Sequence, residues 1–252
     1  MSQAGKRVAL VTGAGNGIGR ASALAFASRG DAVVVADFDQ RAGHETVRQI
    51  LAAGGEASFV EVDVRSAASI RAMIAATVER HGRLDWAHNN AGIEGRTSGI
   101  VSCEEPDWDE VIAVDLKSVW LCMKHEIPAM LANGGGAIVN TSSMAGLAGM
   151  GSTPAYVAAK HGVVGLSKMA ALEYARQGIR VNAVCPAMIR TAMMERFCAE
   201  NPGYEDKLSE MHPIGRVGEA REVADAVTWL CSPASSFVTG HAMPIDGGSF
   251  AR

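Results

Sequence analysis

Apolar residues along the chain follow two patterns that alternate with each other. One consists of short, uninterrupted apolar runs, and in the other the apolar residues recur every three or four positions. An uninterrupted run predicts a strand buried on both faces, whereas the longer period predicts an amphipathic helix. We expect strands at 7–11, 32–36, 58–62, 84–88, 137–140 and 179–185, and helices at 18–29, 41–53, 66–81, 106–130 and from 154 onward.

This alternation of strand and helix is typical of an α/β protein with a parallel sheet covered by helices on both faces. Right-handed crossovers are the default connection between such strands. The sequence contains no linker, no block of like charges and no low-complexity tract that would divide it. We therefore interpret residues 1–252 as one doubly wound domain.

The composition narrows the classes of function. The net charge of -4 argues against a nucleic-acid partner, which requires a basic surface. No apolar run is long enough to span a membrane, and the N-terminal run is too short for a secretory signal. The 5 cysteines form no C-x-x-C pair and the 7 histidines are isolated, so we predict neither disulfides nor a metal site. We expect a cytoplasmic protein that acts on a small molecule.

A glycine-rich segment, TGAGNGIG, follows the first predicted strand. Its glycines Gly13, Gly17 and Gly19 would let a dinucleotide pyrophosphate approach the backbone, and the next helix offers free N–H groups at its N-terminus. A glycine cluster can also be an ordinary turn. Its position at the first strand-to-helix connection favours nucleotide binding.

A carboxylate at the end of the second predicted strand indicates which nucleotide would bind. Asp37 lies 18 residues after Gly19 and can accept hydrogen bonds from an adenosine ribose. It would repel a 2′-phosphate, and neither Asn16 nor Phe38 supplies a cation to hold one. The sequence therefore predicts NAD rather than NADP as the cofactor.

The stretch from Thr141 to Lys160 carries the candidate chemistry. Tyr156 and Lys160 are four residues apart, so that on a helix they share one face, and Ser143 precedes that helix at the end of a strand. A free Tyr has a pKa of about 10, which a nearby ammonium lowers. A hydroxyl from Ser143 could polarise a carbonyl while Tyr156 transfers the proton. Taken alone, the pair is far more typical of a packed Tyr beside a solvated Lys, and the rest of the chain is what favours chemistry.

Together these features resemble the short-chain dehydrogenase/reductase family over essentially the whole chain. Six motifs occur in the family's order. They are TGAGNGIG at 12–19, Asp63-Val64, Asn89-Asn90-Ala91-Gly92, the set Ser143, Tyr156 and Lys160, Cys185-Pro186, and Ile245-Asp246-Gly247-Gly248. The resemblance implies a Rossmann-type sheet of about seven parallel strands. It also implies a homotetramer or homodimer built on the long helices near 106–130 and 153–177.

The resemblance further implies a role for each site residue. Tyr156 would be the catalytic acid/base, Ser143 would orient the substrate oxygen, and Lys160 would bind the nicotinamide ribose and lower the pKa of Tyr156. Asp63 and Val64 would meet the adenine. The implied cofactor contacts are Gly13, Asn16, Gly17, Ile18, Gly19, Asp37, Phe38, Asp63, Val64, Asn90, Ala91, Gly92, Tyr156, Lys160, Pro186, Ile189 and Thr191.

Two positions depart from the family pattern. Asp115 occupies the place of a catalytic Asn, whose part is to hold a water that links Lys160 to solvent. An ionised Asp115 would stabilise the ammonium of Lys160 and blunt its effect on Tyr156, whereas a protonated Asp115 would imitate the amide. We expect activity to survive with a changed pH profile. Ala187 replaces a Gly after Pro186, which narrows the space beside the nicotinamide.

At residues 190–214 the alternation of strand and helix patterns is interrupted. We expect this segment to form a lid over the substrate. An apolar pocket is predicted from the residues that could line it, namely Met188, Met193, Met194 and Phe197, with Met144, Met150 and Ile93 opposite. This pocket favours a small apolar, cyclic secondary alcohol or ketone as substrate. Two alternatives stay open: an NADPH-dependent ketoacyl-thioester reductase, and a non-catalytic dinucleotide-binding regulatory protein.

Overall fold

The computed structural model describes residues 6–151, 153–200, 209–210 and 212–251. Seven parallel strands form its main sheet, in the order β3-β2-β1-β4-β5-β6-β9. They are β1 (Val8–Thr12), β2 (Ala32–Asp37), β3 (Glu56–Glu61), β4 (Trp86–Asn89), β5 (Gly136–Thr141), β6 (Ile179–Pro186) and β9 (Ala242–Ile245). The predicted α/β class with a doubly wound parallel sheet is confirmed. The order reverses direction at β1, where β4 lies on the side opposite β2.

Helices cover both faces of this sheet. They are α1 (Gly17–Ser28), α2 (Gln40–Ala52), α3 (Ala67–His81), α4 (Glu105–Ile112), α5 (Ser118–Ala132), α6 (Pro154–Tyr174), α7 (Ala192–Glu200) and α8 (Ala220–Cys231). One apolar core lies between the sheet and α3, α5 and α6. A second core lies between the opposite face and α1, α2 and α8. Because helices cover both faces of the sheet, the strands carry apolar side chains on both faces.

Local sequence signals explain where the helices begin and end. The side chain of Asp39 caps α2 by accepting a hydrogen bond from Ala42 N–H, and Ser66 caps α3 in the same way. Gly82 ends α3 in the left-handed conformation, with φ of 74°. Thr153 occupies the N-cap position of α6 but makes no capping hydrogen bond with its side chain, and Ser152 lies outside the described residues.

The predicted helix at 106–130 contains an irregularity that periodicity does not reveal. Between α4 and α5 the chain forms one π-helical turn, Ala113–Lys117, with Asp115 at its centre. Such turns inside α-helices are rare and occur frequently at functional sites. The turn lets the stretch run on without a break while its inward-facing side chains change direction.

The region after β6 departs most from the apolar pattern. A two-stranded sheet pairs β7 (Ile189–Arg190) with β8 (Gly218–Glu219), and α7 follows β7. Residues 201–208 and 211, which belong to the predicted lid at 190–214, lie outside the described part of the chain. The strand β9 was not expected from periodicity because it is only partly buried and contains Pro244. Proline is tolerated there since β9 is an edge strand.

Candidate active site

The carboxyl ends of β1, β4, β5 and β6 meet at one edge of the sheet, and the predicted site residues gather there. In a parallel sheet the crevice beyond these ends, at the point where the strand order reverses, is the usual ligand site. The glycine-rich segment follows β1, Asn90 follows β4, Ser143 follows β5 and Pro186 ends β6. The fold therefore brings sequence motifs together that are up to about 170 residues apart in the chain.

The glycine-rich loop has the geometry that a pyrophosphate requires. Gly13 and Gly17 have φ of 62° and 51°, which side-chain-bearing residues rarely adopt. A Cβ on Gly19 would lie 2.0 Å from the carbonyl oxygen of Gly13. Asn16 is the N-cap of α1 but makes no side-chain cap hydrogen bond, so the N–H groups of the first turn lack a capping acceptor. The loop therefore fits an anionic group at the start of α1.

Asp37 supports this loop directly. Its Oδ2 accepts a hydrogen bond from Gly15 N–H at 2.7 Å, and its Oδ1 accepts one from Asp39 N–H at 2.9 Å. A carboxylate oxygen has two lone pairs, so each oxygen retains acceptor capacity for a ribose hydroxyl. Asp37 thus fixes the loop and presents negative charge at the end of β2.

The predicted adenine contacts lie beside a cation that sequence reasoning did not consider. Arg65 binds Asp63 through two hydrogen bonds of 2.9 Å, which lowers the pKa of Asp63. The guanidinium also lies 5.9 Å from the ring centre of the exposed Phe38. Val64 packs on the core cluster beneath α3 and α5. Asp63 is therefore engaged by Arg65 in the absence of a ligand.

Asn90 joins three strands at the floor of the site. Its N–H donates to Thr12 Oγ1 at 3.0 Å, and its Nδ2 donates to the Thr12 carbonyl at 3.2 Å. Thr141, at the end of β5, donates to Asn90 Oδ1 at 3.4 Å. Ala91 N–H also donates to Thr12 Oγ1, at 3.2 Å. Asn90 thus braces the sheet as expected, whereas the part played by Thr12 was missed because a Thr at a strand end carries no motif.

Ser143, Tyr156 and Lys160 converge as their spacing predicts. Tyr156 and Lys160 share one face of α6, with the Lys160 Nζ 5.2 Å from the centre of the Tyr156 ring. Lys160 Nζ donates to the carbonyl of Thr141 at 3.2 Å. Ser142, a residue that sequence reasoning passed over, donates to the carbonyl of Lys160 at 2.8 Å and so joins α6 to the end of β5.

Asp115 forms a buried ion pair with Lys160. The distance between Lys160 Nζ and Asp115 Oδ2 is 2.9 Å, and neither side chain is more than 5% exposed. Asp115 Oδ1 accepts a hydrogen bond from Ile93 N–H at 2.8 Å. Both contacts bring a donor to a carboxylate oxygen, so they favour the ionised form. Burial raises the pKa of Asp115, and Lys160 and Ile93 oppose that rise.

This ion pair affects the pKa values of both Lys160 and Tyr156. Burial would lower the pKa of Lys160, but Asp115 and Tyr156 together raise it above its ordinary value. For Tyr156, burial raises the pKa, Lys160 lowers it, Asp115 raises it and a hydrogen bond with Ser143 lowers it. The net direction for Tyr156 is upward. Lys160 therefore acts on Tyr156 as predicted, but in this structure burial outweighs its effect.

The far wall of the site is formed after β6. Ala187 N–H donates to the carbonyl of Ile245, which ties this turn to the edge strand β9. Ile189 is buried. A Cβ added to Gly17 would lie 3.3 Å from Thr191 Cγ2, so the Thr191 side chain is close to Gly17. Thr191 thus lies close to the glycine-rich loop at this wall of the site.

The predicted methionine pocket is only partly supported. Met194 is buried against Val217, with Met188 beside it, so both belong to a small core cluster. Met150 is 46% exposed. The side chains of Met193 and Phe197 lie outside the described residues. Met188 and Met194 thus pack with their own segment, because apolar residues near a site satisfy burial as readily as ligand binding.

Comparison with known proteins identifies the family. A family model described as enoyl-(acyl carrier protein) reductase matches residues 13–249. The cyclohexanol dehydrogenase of Acinetobacter sp. (strain SE19) is 44% identical over 241 residues, which cover 96% of this chain and 94% of that protein. The chain belongs to the short-chain dehydrogenase/reductase family.

Solved structures agree with this assignment. The crystal structure of levodione reductase superposes with a TM-score of 0.94 at 38% identity and covers 98% of both chains. A variant of actinorhodin polyketide ketoreductase with NADPH gives a TM-score of 0.92 at 37% identity and covers 97% of both chains. The protein is thus an enzyme, an oxidoreductase of alcohols and ketones with a Rossmann fold, and its family uses a nicotinamide dinucleotide.

Proposed function

We propose that this protein is an NAD-dependent dehydrogenase of small cyclic secondary alcohols, which also reduces the corresponding ketones. The observation that carries the proposal is that Tyr156, Lys160 and Ser143 meet the glycine-rich loop at one edge of the sheet. The name of the cyclohexanol dehydrogenase relative supports a ring-shaped substrate. Val111 and Ala155 form a small apolar cluster against which Tyr156 packs, so apolar side chains surround the proposed acid/base.

In this proposal the chain's own residues position the substrate and move one proton. Ser143 donates a hydrogen bond to the substrate oxygen, and Tyr156 takes the hydroxyl proton as general base. Lys160 eases formation of the phenolate, because each unit by which the pKa of Tyr156 falls is about 1.36 kcal/mol. When NAD is bound it supplies the acceptor for the hydride that leaves the carbon. In ketone reduction Tyr156 returns the proton.

Several cofactor contacts are part of the proposal. The N–H groups at the start of α1, including those of Gly17, Ile18 and Gly19, hold the pyrophosphate, with Asn16 at the cap. Asp37 accepts hydrogen bonds from the adenosine ribose. The other proposed contacts are Gly13, Phe38, Asp63, Val64, Asn90, Ala91, Gly92, Pro186, Ile189 and Thr191.

The choice of NAD over NADP rests on charge at the end of β2. The carboxylate of Asp37 would repel a 2′-phosphate. Two cations near this end of the crevice already have partners. Arg65 is held by Asp63 through two hydrogen bonds, and Arg20 donates to the carbonyl of Gly15 and to Thr46 Oγ1. One similar structure, that of actinorhodin polyketide ketoreductase, contains NADPH. An NADPH-dependent ketoacyl-thioester reductase is therefore the alternative that the cofactor assay must test. The non-catalytic alternative is opposed by the intact set of Ser143, Tyr156 and Lys160.

We further propose a cytoplasmic homo-oligomer in which α5 and α6 form the main interface. Trp120 on α5 and Met169 and Leu172 on α6 are 43%, 49% and 86% exposed, which is unusual for large apolar side chains on helices this long. Residues 190–214 would act as the substrate lid. Light scattering coupled to size-exclusion chromatography tests the oligomer, since a monomer at micromolar concentration would contradict it.

The function is tested by absorbance at 340 nm with cyclohexanol and NAD. We expect NADH formation that Tyr156→Phe reduces by at least about a hundredfold, because the variant lacks the proton-transferring hydroxyl. The same assay with NADP should give a much lower kcat/KM. Preference for NADP would favour the ketoacyl reductase, and tight NAD binding without turnover of any secondary alcohol would favour the non-catalytic protein.

A further inference from the structure

A fully buried histidine lies in the middle of the sheet, close in sequence to Asn90. His88 is on β4, level with Val11 of β1 and Val139 of β5, and its side chain is 0% exposed. Its Nε2 lies 2.8 Å from the hydroxyl oxygen of Thr141, at the end of β5. Burial lowers the pKa of His88 to about 3, so its ring is neutral near neutral pH. A neutral ring has one N–H donor and one acceptor nitrogen, and the contacts of each nitrogen decide which is which.

The hydroxyl of Thr141 connects His88 with the side-chain amide of Asn90. Thr141 Oγ1 lies 3.4 Å from Asn90 Oδ1. On its other side the amide contacts the glycine-rich segment, where Asn90 Nδ2 donates to the carbonyls of Thr12 and Gly13 at 3.2 and 3.4 Å. These carbonyls only accept hydrogen bonds, so they require the NH₂ group of the amide. The amide oxygen of Asn90 must therefore face Thr141.

The direction of the other two hydrogen bonds follows from this orientation. The oxygen of Asn90 only accepts, so the single hydroxyl proton of Thr141 points to Asn90, and His88 Nε2–H donates to Thr141 Oγ1. His88 Nδ1 then carries no proton, and it has no partner among the residues that the structure describes. The opposite tautomer would bury an N–H at Nδ1 without an acceptor, and buried donors without a partner are rarer than buried acceptors. Both arguments select the Nε2–H tautomer.

The orientation of the Asn90 amide matters because the amide packs against the glycine-rich loop. A Cβ added to Gly13 would lie 3.1 Å from Asn90 Nδ2, and one added to Gly19 would lie 2.7 Å from it. If the amide were flipped, its oxygen would face the carbonyl oxygens of Thr12 and Gly13, and both carbonyls would lose a donor. The correct orientation therefore holds the loop in the shape that the structure shows.

We propose that His88 is a positioning residue for the dinucleotide: through the hydroxyl of Thr141 it fixes the amide of Asn90, which in turn holds the glycine-rich loop for the pyrophosphate. The His88–Thr141 contact is the shorter of the two, so without it the hydroxyl is held only by the long bond to Asn90. A loop that is less well preorganised binds its ligand more weakly. The inference rests on the proposed binding of the dinucleotide at this loop and not on the proposed substrate.

The tautomer is tested on the wild-type protein by ¹⁵N NMR of the histidine side chains. The signals of His88 are assigned by their loss in His88→Gln. We expect the neutral Nε2–H form throughout the range from pH 6 to pH 9, because burial keeps the ring from taking up a second proton. A proton on Nδ1 would contradict the inference, since Thr141 would then donate to His88 and not to Asn90.

The effect on the cofactor is tested by fluorescence titration with NADH, or with NADPH if the wild type binds it more tightly. His88→Gln keeps an N–H near the place of Nε2, whereas His88→Met has a similar length and no donor. Thr141→Val keeps the branched shape and the backbone carbonyl that Lys160 contacts, and it removes the hydroxyl. Thr77→Val is the matched control, since Thr77 is buried and its hydroxyl donates within its own helix.

We expect the Kd of the dinucleotide to rise about fivefold in Thr141→Val and about threefold in His88→Met. It should stay within about twofold of the wild-type value in His88→Gln and in Thr77→Val. Equal Kd values for His88→Gln and His88→Met, or a rise in Thr77→Val as large as in Thr141→Val, would overturn the inference alone. A wild-type protein that binds neither dinucleotide would overturn the proposed function together with this inference.

Discussion

Two fully buried carboxyl groups on one helical stretch show how differently the same fold treats a negative charge. Asp115 lies in the π-helical turn and Glu126 lies three helical turns further on, in α5, and both are 0% exposed. Asp115 contacts the ammonium of Lys160 at 2.9 Å. Glu126 accepts a hydrogen bond from the neutral amide of Asn89, whose Nδ2 donates to Oε2 at 3.0 Å. Among the residues that the structure describes, Asp115 has a counter-charge and Glu126 has none.

The surroundings of Glu126 are polar but neutral. Asn89 Nδ2 also donates to Asn140 Oδ1 at 2.9 Å, and Asn140 Nδ2 donates to Ser167 Oγ at 2.9 Å. Burial raises the pKa of Glu126 to about 7, and the hydrogen bond from Asn89 lowers it only in part. Glu126 is therefore protonated over most of the acidic range.

The comparison shows that burial alone does not decide the ionisation state of a carboxyl group. Burial raises the pKa of Asp115 overall, while an ammonium and an N–H donor favour its charged form, and that charge raises the pKa of Tyr156. A neutral network lets Glu126 hold a proton and join α5, β4, β5 and α6 without charge. The charge of Asp115 changes the pKa of Tyr156 in the site, whereas the neutral network of Glu126 links structural elements behind the site.

The largest expected effect comes from removing the counter-charge of Asp115. Lys160→Met should reduce kcat/KM by at least about a hundredfold, because Tyr156 loses the cation that favours its phenolate. It should also lower the free energy of unfolding by about 3 kcal/mol, since Asp115 is left buried and unpaired. Urea unfolding measures the second effect. Lys168→Met, at an exposed position of the same helix, should change neither value.

This prediction also has a signature in pH. Burial already raises the pKa of Asp115, and the loss of Lys160 should raise it further, so the stability lost in Lys160→Met should be larger at pH 8 than at pH 5. A loss that is equal at both values would show that Asp115 is not charged in the wild-type protein.

An intermediate effect is expected for Glu126→Gln, and it appears in the pH dependence of stability. The folded pKa of Glu126 is about 7 against an ordinary value of 4.5, so the folded state retains a proton that the unfolded state releases. The wild-type free energy of unfolding should therefore fall by about 3 kcal/mol as pH rises from 4.5 through about 7. Glutamine does not titrate, and its variant should lack this fall.

Urea unfolding at pH 5, 6, 7 and 8 checks the Glu126 prediction. The difference between wild type and Glu126→Gln should shift in favour of the variant as pH rises, and it should level off above about pH 8. Glu105→Gln, which removes an exposed carboxylate, serves as the control for general charge effects. Parallel stability curves for wild type and Glu126→Gln would mean that Glu126 does not hold its proton into this range.

The smallest expected effect concerns the end of the neutral network. Ser167→Ala removes the acceptor of Asn140 Nδ2 and leaves this buried N–H without its oxygen partner. We expect a loss of about 1 to 2 kcal/mol in unfolding free energy at every pH. Ser28→Ala, an exposed serine whose hydroxyl donates within its own helix, should cost less than about 0.5 kcal/mol. Equal losses for the two variants would contradict the network's role.

Sequence reasoning succeeds where one local pattern decides the outcome. The apolar runs predicted β1 to β6 to within about two residues at most ends, because a buried parallel strand needs apolar residues on both faces. The spacing of Tyr156 and Lys160 predicted their common face on α6. The glycine-rich loop was recognisable because its backbone geometry and close packing exclude side chains at Gly13 and Gly19.

The rest depends on long-range packing that no local pattern encodes. The π-helical turn around Asp115 lies within an unbroken helical periodicity. Glu126 looks like an ordinary helix residue until the fold brings Asn89 of β4 against it. The roles of these residues can be inferred only once the strand order is known.

The central claim is that Asp115 is a carboxylate whose charge, through Lys160 and directly, raises the pKa of Tyr156. The most direct test is the pH dependence of kcat/KM for wild type and Asp115→Asn with cyclohexanol and NAD. Asparagine keeps an acceptor for Ile93 N–H and removes the charge. The account predicts that the rising limb of the profile moves to lower pH in the variant, because Tyr156 then feels Lys160 without an opposing anion. Profiles that superimpose would contradict it.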